Sequence, residues 1–323
     1  MTNHPILRLE EVLKAYDQKI AVDRVTLSVP KGAIFGMLGP NGAGKTSLIR
    51  IITTITQADS GRVFLDGEPL NSRHPENIGY MPEERGLYKK MKVGDHLLYL
   101  GRLKGLSKAQ TEAEIRHWFE KLEISDWWNK KVEELSKGMQ QKIQFVATVL
   151  HRPKLLILDE PFSGLDPINT NLIKDEIHQL HKEGTSIIFS THRMEQVEEI
   201  CEHIVLINQG KNILEGEVKA IRNQFKEHQF RIDFEGNLPE DLSSKVRTIK
   251  ENGGSVVIQL LEGAESNQLL GYLIDRGVRI KAFNELLPSL NEIFIRQVEQ
   301  SNAGLAAASG HKFIAPNLQN TRS

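Results

Sequence analysis

The chain has 323 residues and a formal net charge of −1, with 39% hydrophobic residues and a single cysteine, Cys201. This length accommodates a large domain and a smaller one, and the near-neutral charge gives no overall field that would attract nucleic acid or an anionic membrane. One cysteine excludes an intramolecular disulfide and fits a reducing compartment. Residues 1–5 lack the features of a signal peptide. No apolar run approaches the roughly 18 residues of a membrane span, so we expect another chain to supply any spans.

The N-terminal part of the chain predicts short strands around a glycine-rich loop. Strands are expected at residues 6–16, 19–29, 33–38, 61–65 and 78–81. The loop at 39–46 follows the third strand directly, and residues 46–52 have the apolar spacing of a helix. A strand, a glycine-rich loop and a helix therefore follow one another.

The loop reads Gly-Pro-Asn-Gly-Ala-Gly-Lys-Thr and completes the pattern G-x-x-x-x-G-K-[ST]. Its glycines let backbone N–H groups approach phosphate oxygens, and the N-terminus of the following helix adds positive partial charge. Lys45 is expected to reach the β- and γ-phosphates, and the Thr46 hydroxyl to bind Mg²⁺. The predicted residues for nucleoside triphosphate binding are Gly39, Pro40, Asn41, Gly42, Ala43, Gly44, Lys45, Thr46 and Ser47.

The pattern turns helical from residue 83 to about 151, and then strands and helices alternate. Further strands are expected at 155–158, 186–190, 204–208 and 211–215, and helices at 169–182 and 194–201. Apolar strands that alternate with helices indicate an α/β sheet buried on both faces.

Two carboxylates follow the strand at 155–158. Because ligands bind at the carboxyl ends of strands in α/β sheets, Asp159 is placed to hold Mg²⁺ and Glu160 to act as a general base on the attacking water. The alternative is that both acids only solvate a strand end or cap the following turn. The phosphate loop upstream favours the catalytic interpretation.

The pattern changes again after Glu217. A charged helical stretch at 219–228 precedes short elements at 229–234, 255–261, 267–276, 278–283 and 290–300. We predict a small α+β domain over 218–300, separate from the domain formed by 1–217. Residues 301–323 are small and polar without periodicity, so disorder is expected there.

Three further stretches complete a set of motifs. Residues 135–142 read Leu-Ser-Lys-Gly-Met-Gln-Gln-Lys, 163–166 read Ser-Gly-Leu-Asp, and 190–192 read Ser-Thr-His. With the two phosphate motifs, in this order, they resemble the ATP-binding cassette (ABC) of ABC transporters over roughly residues 6–217. The resemblance implies a P-loop NTPase fold with a mixed sheet and a helical subdomain at about 84–151.

The resemblance also implies roles for single residues. Tyr16 would stack on adenine, while Ser136 and Gly138 would bind the γ-phosphate of ATP held by a second cassette. Asp166 would communicate across that dimer interface, and His192 would contact the γ-phosphate and hold the water with Glu160.

Each of these residues also has a structural alternative. Tyr16 could be an ordinary strand aromatic, and His192 a structural histidine. Ser136 could be a plain helix N-cap, and Asp166, before Pro167, suits entry into a helix.

The chain departs from the family pattern at two places. Lys137 and Met139 alter the usual Leu-Ser-Gly-Gly-Gln signature but leave its phosphate-facing Ser and Gly. Glu83 stands where the family usually has glutamine; it could still reach Mg²⁺, but a carboxylate only accepts hydrogen bonds.

Residues 81–88 and 287–294 resemble a subgroup of exporter ATPases, similar to sodium, drug and antibiotic extruders, that carry a small C-terminal domain.

These resemblances predict the ATPase subunit of an ABC exporter, which uses ATP and Mg²⁺. It is expected to work as a dimer, most simply a homodimer, on the cytoplasmic face of the membrane with separate transmembrane permease subunits. The alternative is a soluble ABC ATPase that acts on nucleic acid or ribosomes; the single uninterrupted cassette, the neutral charge and the lack of a long heptad run disfavour it. A cassette that binds ATP without turnover is disfavoured because Lys45, Glu160 and His192 are all present.

Overall fold

The computed structural model describes residues 4–84, 86–244, 246–261 and 263–309, with side chains as far as Ala303 at the C-terminal end. The described residues form two compact units: one extends to Glu217 and resumes at Gln297, and the other is Val218–Arg296. The helices are α1 (Lys45–Ile52), α2 (Val93–Leu103), α3 (Lys108–Lys121), α4 (Lys137–Val149), α5 (Pro167–Lys182), α6 (Met194–Ile200), α7 (Val218–Gln224), α8 (Ser266–Asp275) and α9 (Leu290–Ser309). The strands are β1 (Leu7–Tyr16), β2 (Lys19–Val29), β3 (Ile34–Leu38), β4 (Ser60–Leu65), β5 (Glu68–Pro69), β6 (Ile78–Met81), β7 (Leu155–Asp159), β8 (Ser186–Ser190), β9 (His203–Asn208), β10 (Lys211–Glu217), β11 (Gln229–Glu235), β12 (Val246–Asn252), β13 (Ser255–Leu260) and β14 (Arg279–Leu286).

The central sheet of the first unit has the strand order β10-β9-β3-β8-β7-β6. Its strands run parallel except β10, which pairs with β9 in antiparallel register. Every residue of β3, β7 and β8 is buried, which explains why these strands are continuous apolar runs in the sequence. The carboxyl ends of these three strands meet at one edge of the sheet, where α/β folds bind ligands.

A second, antiparallel sheet, β2-β1-β4-β5, packs against the central one. Their shared core includes Leu7 and Val25 from the antiparallel sheet, Phe35 and Ile188 from the central sheet, and Ile49 from α1. The predicted mixed α/β fold is confirmed. Helices α2, α3 and α4 lie between β6 and β7 in the chain, as the helical pattern predicts.

The second unit contains an antiparallel sheet of order β12-β13-β11-β14 and the helix α8. Its core includes Phe230, Ile232, Val256, Ile258 and Leu273. Strand β12 was not predicted, because all but the first of its residues are exposed and it lacks an apolar face.

Two sequence predictions are wrong in this part of the chain. The helix expected over 219–228 ends at Gln224. Disorder was expected from residue 301, but α9 continues to Ser309. The reason is that residues 303–308 include four alanines and a leucine, which are the strongest helix formers. The remaining residues of the predicted disordered tail, 310–323, lie outside the described part of the chain.

Candidate functional site

A cavity of about 340 Å³ lies at the carboxyl edge of the central sheet and is called the site cavity below. It contains most of the predicted site residues, contributed by the β1–β2 hairpin, the glycine loop with α1, and the segments after β6, β7 and β8. Gly39 and Pro40 are not in its lining, although they lie in the same loop. Ser136, Gly138 and Asp166 are not in it either. The lining residues are Tyr16, Lys19, Ala21, Asn41, Gly42, Ala43, Gly44, Lys45, Thr46, Ser47, Glu83, Asp159, Glu160 and His192.

Two glycines of the loop, Gly39 and Gly44, leave no room for a side chain. A Cβ on Gly39 would lie 2.2 Å from the Ile207 carbonyl oxygen, and one on Gly44 would lie 2.2 Å from that of Ala21. Gly44 also has φ of 111°, which L side chains rarely adopt. Helix α1 begins directly after it, so backbone N–H groups and a helix N-terminus form a site for an anion.

Lys45 lies among carboxylates inside this cavity. Its Nζ donates hydrogen bonds to the carbonyl oxygens of Gly39 (2.7 Å) and Pro40 (3.2 Å). Burial lowers the pKa of Lys45, and the charges of Asp159, Glu160 and Glu83 oppose that shift. Lys45 therefore has an acidic environment and neutral carbonyl partners that an anionic oxygen can replace.

Asp159 and Glu83 share the cavity with the Thr46 hydroxyl. Burial raises the pKa of Asp159, the charges of Glu83 and Glu160 raise it further, and Lys45 lowers it. A divalent cation would relieve this repulsion. In the described part of the chain, no cluster of histidine, cysteine and acidic residues forms a metal site by itself. Two carboxylates and a hydroxyl fit Mg²⁺, which takes few protein oxygens and completes its shell with phosphate and water.

Glu160 is constrained through both its backbone and its side chain. It has φ of 51°, an uncommon conformation for glutamate that costs about 1–3 kcal/mol and persists only where the surroundings enforce it. Its backbone N–H donates to the Ser190 carbonyl oxygen, 2.8 Å away. Its side chain is 14% exposed, so the carboxylate has a fixed position at the inner wall of the cavity.

The segment after β8 fixes that carboxylate. The His192 backbone N–H and its Nδ1 lie 2.8 Å and 2.6 Å from Glu160 Oε1, and the Thr191 hydroxyl donates to Oε2 at 3.1 Å. Nδ1 must carry a proton at this distance from a carboxylate oxygen. The sequence predicted the proximity of Glu160 and His192 but missed Thr191, because a lone threonine at a strand end carries no distinctive signal.

Lys19 and Ala21 also line the cavity without having been predicted. Tyr16 and Lys19 face each other across the β1–β2 hairpin, and Tyr16 is 41% exposed at the cavity. Lys19 could have been predicted from its position, because it lies three residues after the predicted adenine-stacking tyrosine, at the far end of the same turn.

The signature residues lie on a different surface. Ser136 is the N-cap of α4 and accepts a hydrogen bond from the Met139 backbone N–H (3.2 Å), and Asp166 caps α5 through the Asn169 N–H (2.9 Å). Both residues are therefore helix N-caps, and both are exposed. A Cβ on Gly138 would lie 3.3 Å from the Gly164 carbonyl oxygen, so the two signature segments are adjacent.

Comparison with known proteins identifies the family. Residues 22–163 match the family model described as ABC transporter, and residues 216–298 match the model of the C-terminal domain of DrrA1-3-like ATP-binding proteins. The chain is similar to YhaQ of Bacillus subtilis, an uncharacterized ABC transporter ATP-binding protein, with 44% identity over 91% of this chain and 98% of that one. The chain belongs to the ABC transporter ATP-binding proteins.

Other similar proteins support the assignment of this chain to the ABC ATPases. The Nod factor export ATP-binding protein I of Cupriavidus metallidurans is 36% identical over 65% of this chain and 71% of that one. A solved structure of the ATP-binding subunit of an ABC transporter superposes with a TM-score of 0.64 and 28% identity, over 68% of this chain and 93% of that one. The family hydrolyses ATP in its cassette, and these matches do not favour a nucleic-acid ATPase. None of the helices in the described residues is long and apolar enough to span a bilayer.

Proposed function

We propose that this ABC ATPase is the motor subunit of an exporter, hydrolysing ATP to drive separate transmembrane permease subunits from the cytoplasmic face of the membrane. The observation that supports ATP hydrolysis is the Glu160 carboxylate, which is held in a fixed position in the same cavity as Lys45. The export assignment is supported by the similarity to a Nod factor export protein and by the DrrA1-3-like C-terminal domain.

The residues that line the site cavity account for the proposed binding of ATP. Tyr16 is placed to stack on adenine, and the loop amides from Asn41 to Ser47 are placed to hold the phosphates. On binding, Lys45 exchanges the carbonyl oxygens of Gly39 and Pro40 for phosphate oxygens. This exchange gives the buried ammonium an anionic partner.

The hydrolytic step follows from the position of Glu160. Thr46, Asp159 and Glu83 would hold Mg²⁺, which neutralises charge on the β- and γ-phosphates when bound. Glu160 accepts a proton from the attacking water as the oxygen–phosphorus bond forms and the bond to the ADP oxygen breaks. His192 and Thr191 hold the Glu160 carboxylate in place for that transfer. The exposed His192 ring would contact the γ-phosphate.

We assign Ser136, Gly138 and Asp166 to a composite site with a second copy of the chain. They lie outside the site cavity of their own chain, at the N-termini of α4 and α5. A helix N-terminus with an exposed serine suits the γ-phosphate of the partner's ATP. Two ATP molecules would then be bound between two cassettes.

A groove of about 590 Å³ beside the Glu83 loop is our proposed docking site for the permease. It includes Tyr80 and Pro82 on the side of the site cavity, and Leu87, Leu100 and Leu103 on the side of α2. Gln144 Nε2 donates to the Pro82 carbonyl oxygen at 2.6 Å, which ties α4 to the residue before Glu83. If a permease segment bound in this groove moved, its displacement would therefore be transmitted to Glu83.

The test is ATP hydrolysis by the purified chain, measured alone, with candidate permease subunits in lipid, and with RNA or ribosomes. The proposal expects hydrolysis that depends on Lys45 and is stimulated by the permease alone. Stimulation by RNA or ribosomes would instead support the nucleic-acid alternative. ATP binding without turnover under every condition would indicate a regulatory cassette.

A further inference from the structure

The turn between β9 and β10 packs directly against the phosphate loop. The backbone N–H of Gly210 donates to the carbonyl oxygen of Ala43 (2.7 Å), and the Gly210 carbonyl oxygen accepts from the N–H of Asp23 (2.8 Å). A Cβ added to Gly44 would lie only 3.4 Å from the Gly210 Cα. The loop that carries the amide donors is thus fixed on one side by this turn.

The end of helix α9 holds the same turn from another direction. Asn208, which is 3% exposed, donates from Nδ2 to Asn302 Oδ1 (3.1 Å) and Ser301 Oγ (3.2 Å). Gln209 Nε2 donates to the same Asn302 oxygen at 2.9 Å. All four residues belong to the first compact unit. One side-chain oxygen therefore accepts hydrogen bonds from two consecutive residues of the turn.

We propose that Asn302 is a positioning residue for the phosphate loop. It acts through Asn208 and Gln209 on Gly210, and through Gly210 on Ala43, without contacting the nucleotide. The inference rests on the proposed ATP site. Its physical basis is preorganisation: a loop that is already fixed pays less conformational entropy when ATP binds. Removing the Asn302 oxygen leaves the buried Asn208 amide without this partner, and the turn gains freedom to shift.

The test compares three variants of the full chain by titration with a fluorescent ATP analogue and by steady-state hydrolysis. Asn302→Ala removes the acceptor and should weaken ATP binding and raise KM by about three- to tenfold with little change in kcat. Asn302→Asp keeps an oxygen that accepts both hydrogen bonds and should stay within about twofold of the parent. Gln297→Ala is the matched control, because its side chain donates a hydrogen bond to Gln300 on the same helix and does not contact the turn.

Hydrogen exchange supplies the readout that a purely structural role would not change. The amides of residues 39–46 should exchange faster in Asn302→Ala than in Gln297→Ala, at temperatures where both chains are folded. If Asn302→Ala does not fold, Gln209→Ala removes one of the two bonds from an exposed residue and is measured instead.

Two results would overturn the inference while leaving the ATP site standing. One is a parent-like ATP affinity and loop exchange in Asn302→Ala. The other is an equal loss in Asn302→Asp, which would show that the accepting oxygen is not what matters. A parent chain that does not bind ATP at all would overturn the proposed function as well.

Discussion

Glu160 and His192 are joined through a single carboxylate oxygen, which lies 2.8 Å from the His192 backbone N–H and 2.6 Å from its Nδ1. The imidazole is 64% exposed, whereas the carboxylate is 14% exposed. One imidazole nitrogen of His192 is therefore bonded to Glu160, and the rest of the ring is exposed at the cavity. This arrangement fixes the direction of the carboxylate before any nucleotide enters.

The first prediction concerns the identity of the base. Glu160→Gln keeps the size of the side chain but removes the proton-accepting carboxylate, and loss of a general base typically lowers kcat by about 10²- to 10⁴-fold. ATP affinity should be retained, because Lys45 and the loop amides are unchanged. Lys45→Ala is the control that should lose binding. Near-normal turnover in Glu160→Gln would remove it from the role of base.

The second prediction concerns Thr191, which is fully buried and donates to Glu160 Oε2. Thr191→Val has nearly the same shape and removes that hydrogen bond, so the carboxylate becomes less well oriented. We expect kcat to fall by about three- to tenfold, the value of one hydrogen bond, with KM unchanged. Thr191→Ser should restore the parent rate. A parallel rise in KM would place Thr191 in nucleotide binding instead.

The sequence predicts the elements whose signal comes from neighbouring residues. It does not predict contacts between residues that are far apart in the chain. The strands β7 and β8 were predictable because burial on both faces makes them continuous apolar runs. The phosphate loop was predictable because its glycines are required at fixed spacing. The contact of Asn208 with Asn302 was not, since it joins residues 94 apart that have no pattern in common.

The roles of Ser136 and Asp166 illustrate a different limit. Each is explained within the chain by a helix cap, and each lies outside the site cavity. Their proposed roles toward ATP require a second copy of the chain, so they remain predictions.

The third prediction concerns Glu83, whose charge raises the pKa of both Asp159 and Tyr80. It therefore lies close to both side chains. Glu83→Gln should retain ATP hydrolysis, because an amide oxygen can still approach Mg²⁺. Glu83→Ala should lower permease-stimulated hydrolysis more than basal hydrolysis. Glu84→Ala, one residue further on, is the matched control, and an intact stimulated rate in Glu83→Ala would exclude a coupling role.

The fourth prediction concerns acid stability. His96 is fully buried, and neither ring nitrogen has a hydrogen-bond partner among the described residues. Burial lowers the pKa of His96 from 6.5 to about 4. Between these values the unfolded chain binds the proton and the folded chain does not, so stability is full above pH 6.5 and falls as the pH drops toward 4.

Urea unfolding at pH 7.5 and pH 5 tests this expectation. His96→Leu should lose less stability on acidification than the parent, because the group that takes up the proton on unfolding is gone. His117→Leu removes an exposed histidine from the neighbouring helix and serves as the control. Equal acid sensitivity of the parent and His96→Leu would assign the effect to other groups.

The last prediction addresses the composite site. If the exposed serine at the N-terminus of α4 binds the γ-phosphate of a partner's ATP, slow hydrolysis should preserve the closed dimer. Glu160→Gln with ATP and Mg²⁺ should therefore elute as a dimer in size-exclusion chromatography. Adding Ser136→Arg places a bulky side chain where the phosphate would lie and should return the protein to a monomer.

The matched control for that double variant is Glu160→Gln with Lys137→Arg, which keeps a cation at the next residue and leaves the serine intact. It should remain dimeric, because α4 keeps its N-cap hydrogen bond from Met139 to Ser136. ATP affinity of each variant must be parent-like, since Ser136 is outside its own site cavity. A dimer that persists in Glu160→Gln with Ser136→Arg would show that the cassettes meet through another surface. A monomer in Glu160→Gln itself, with ATP bound, would show that two cassettes alone do not close.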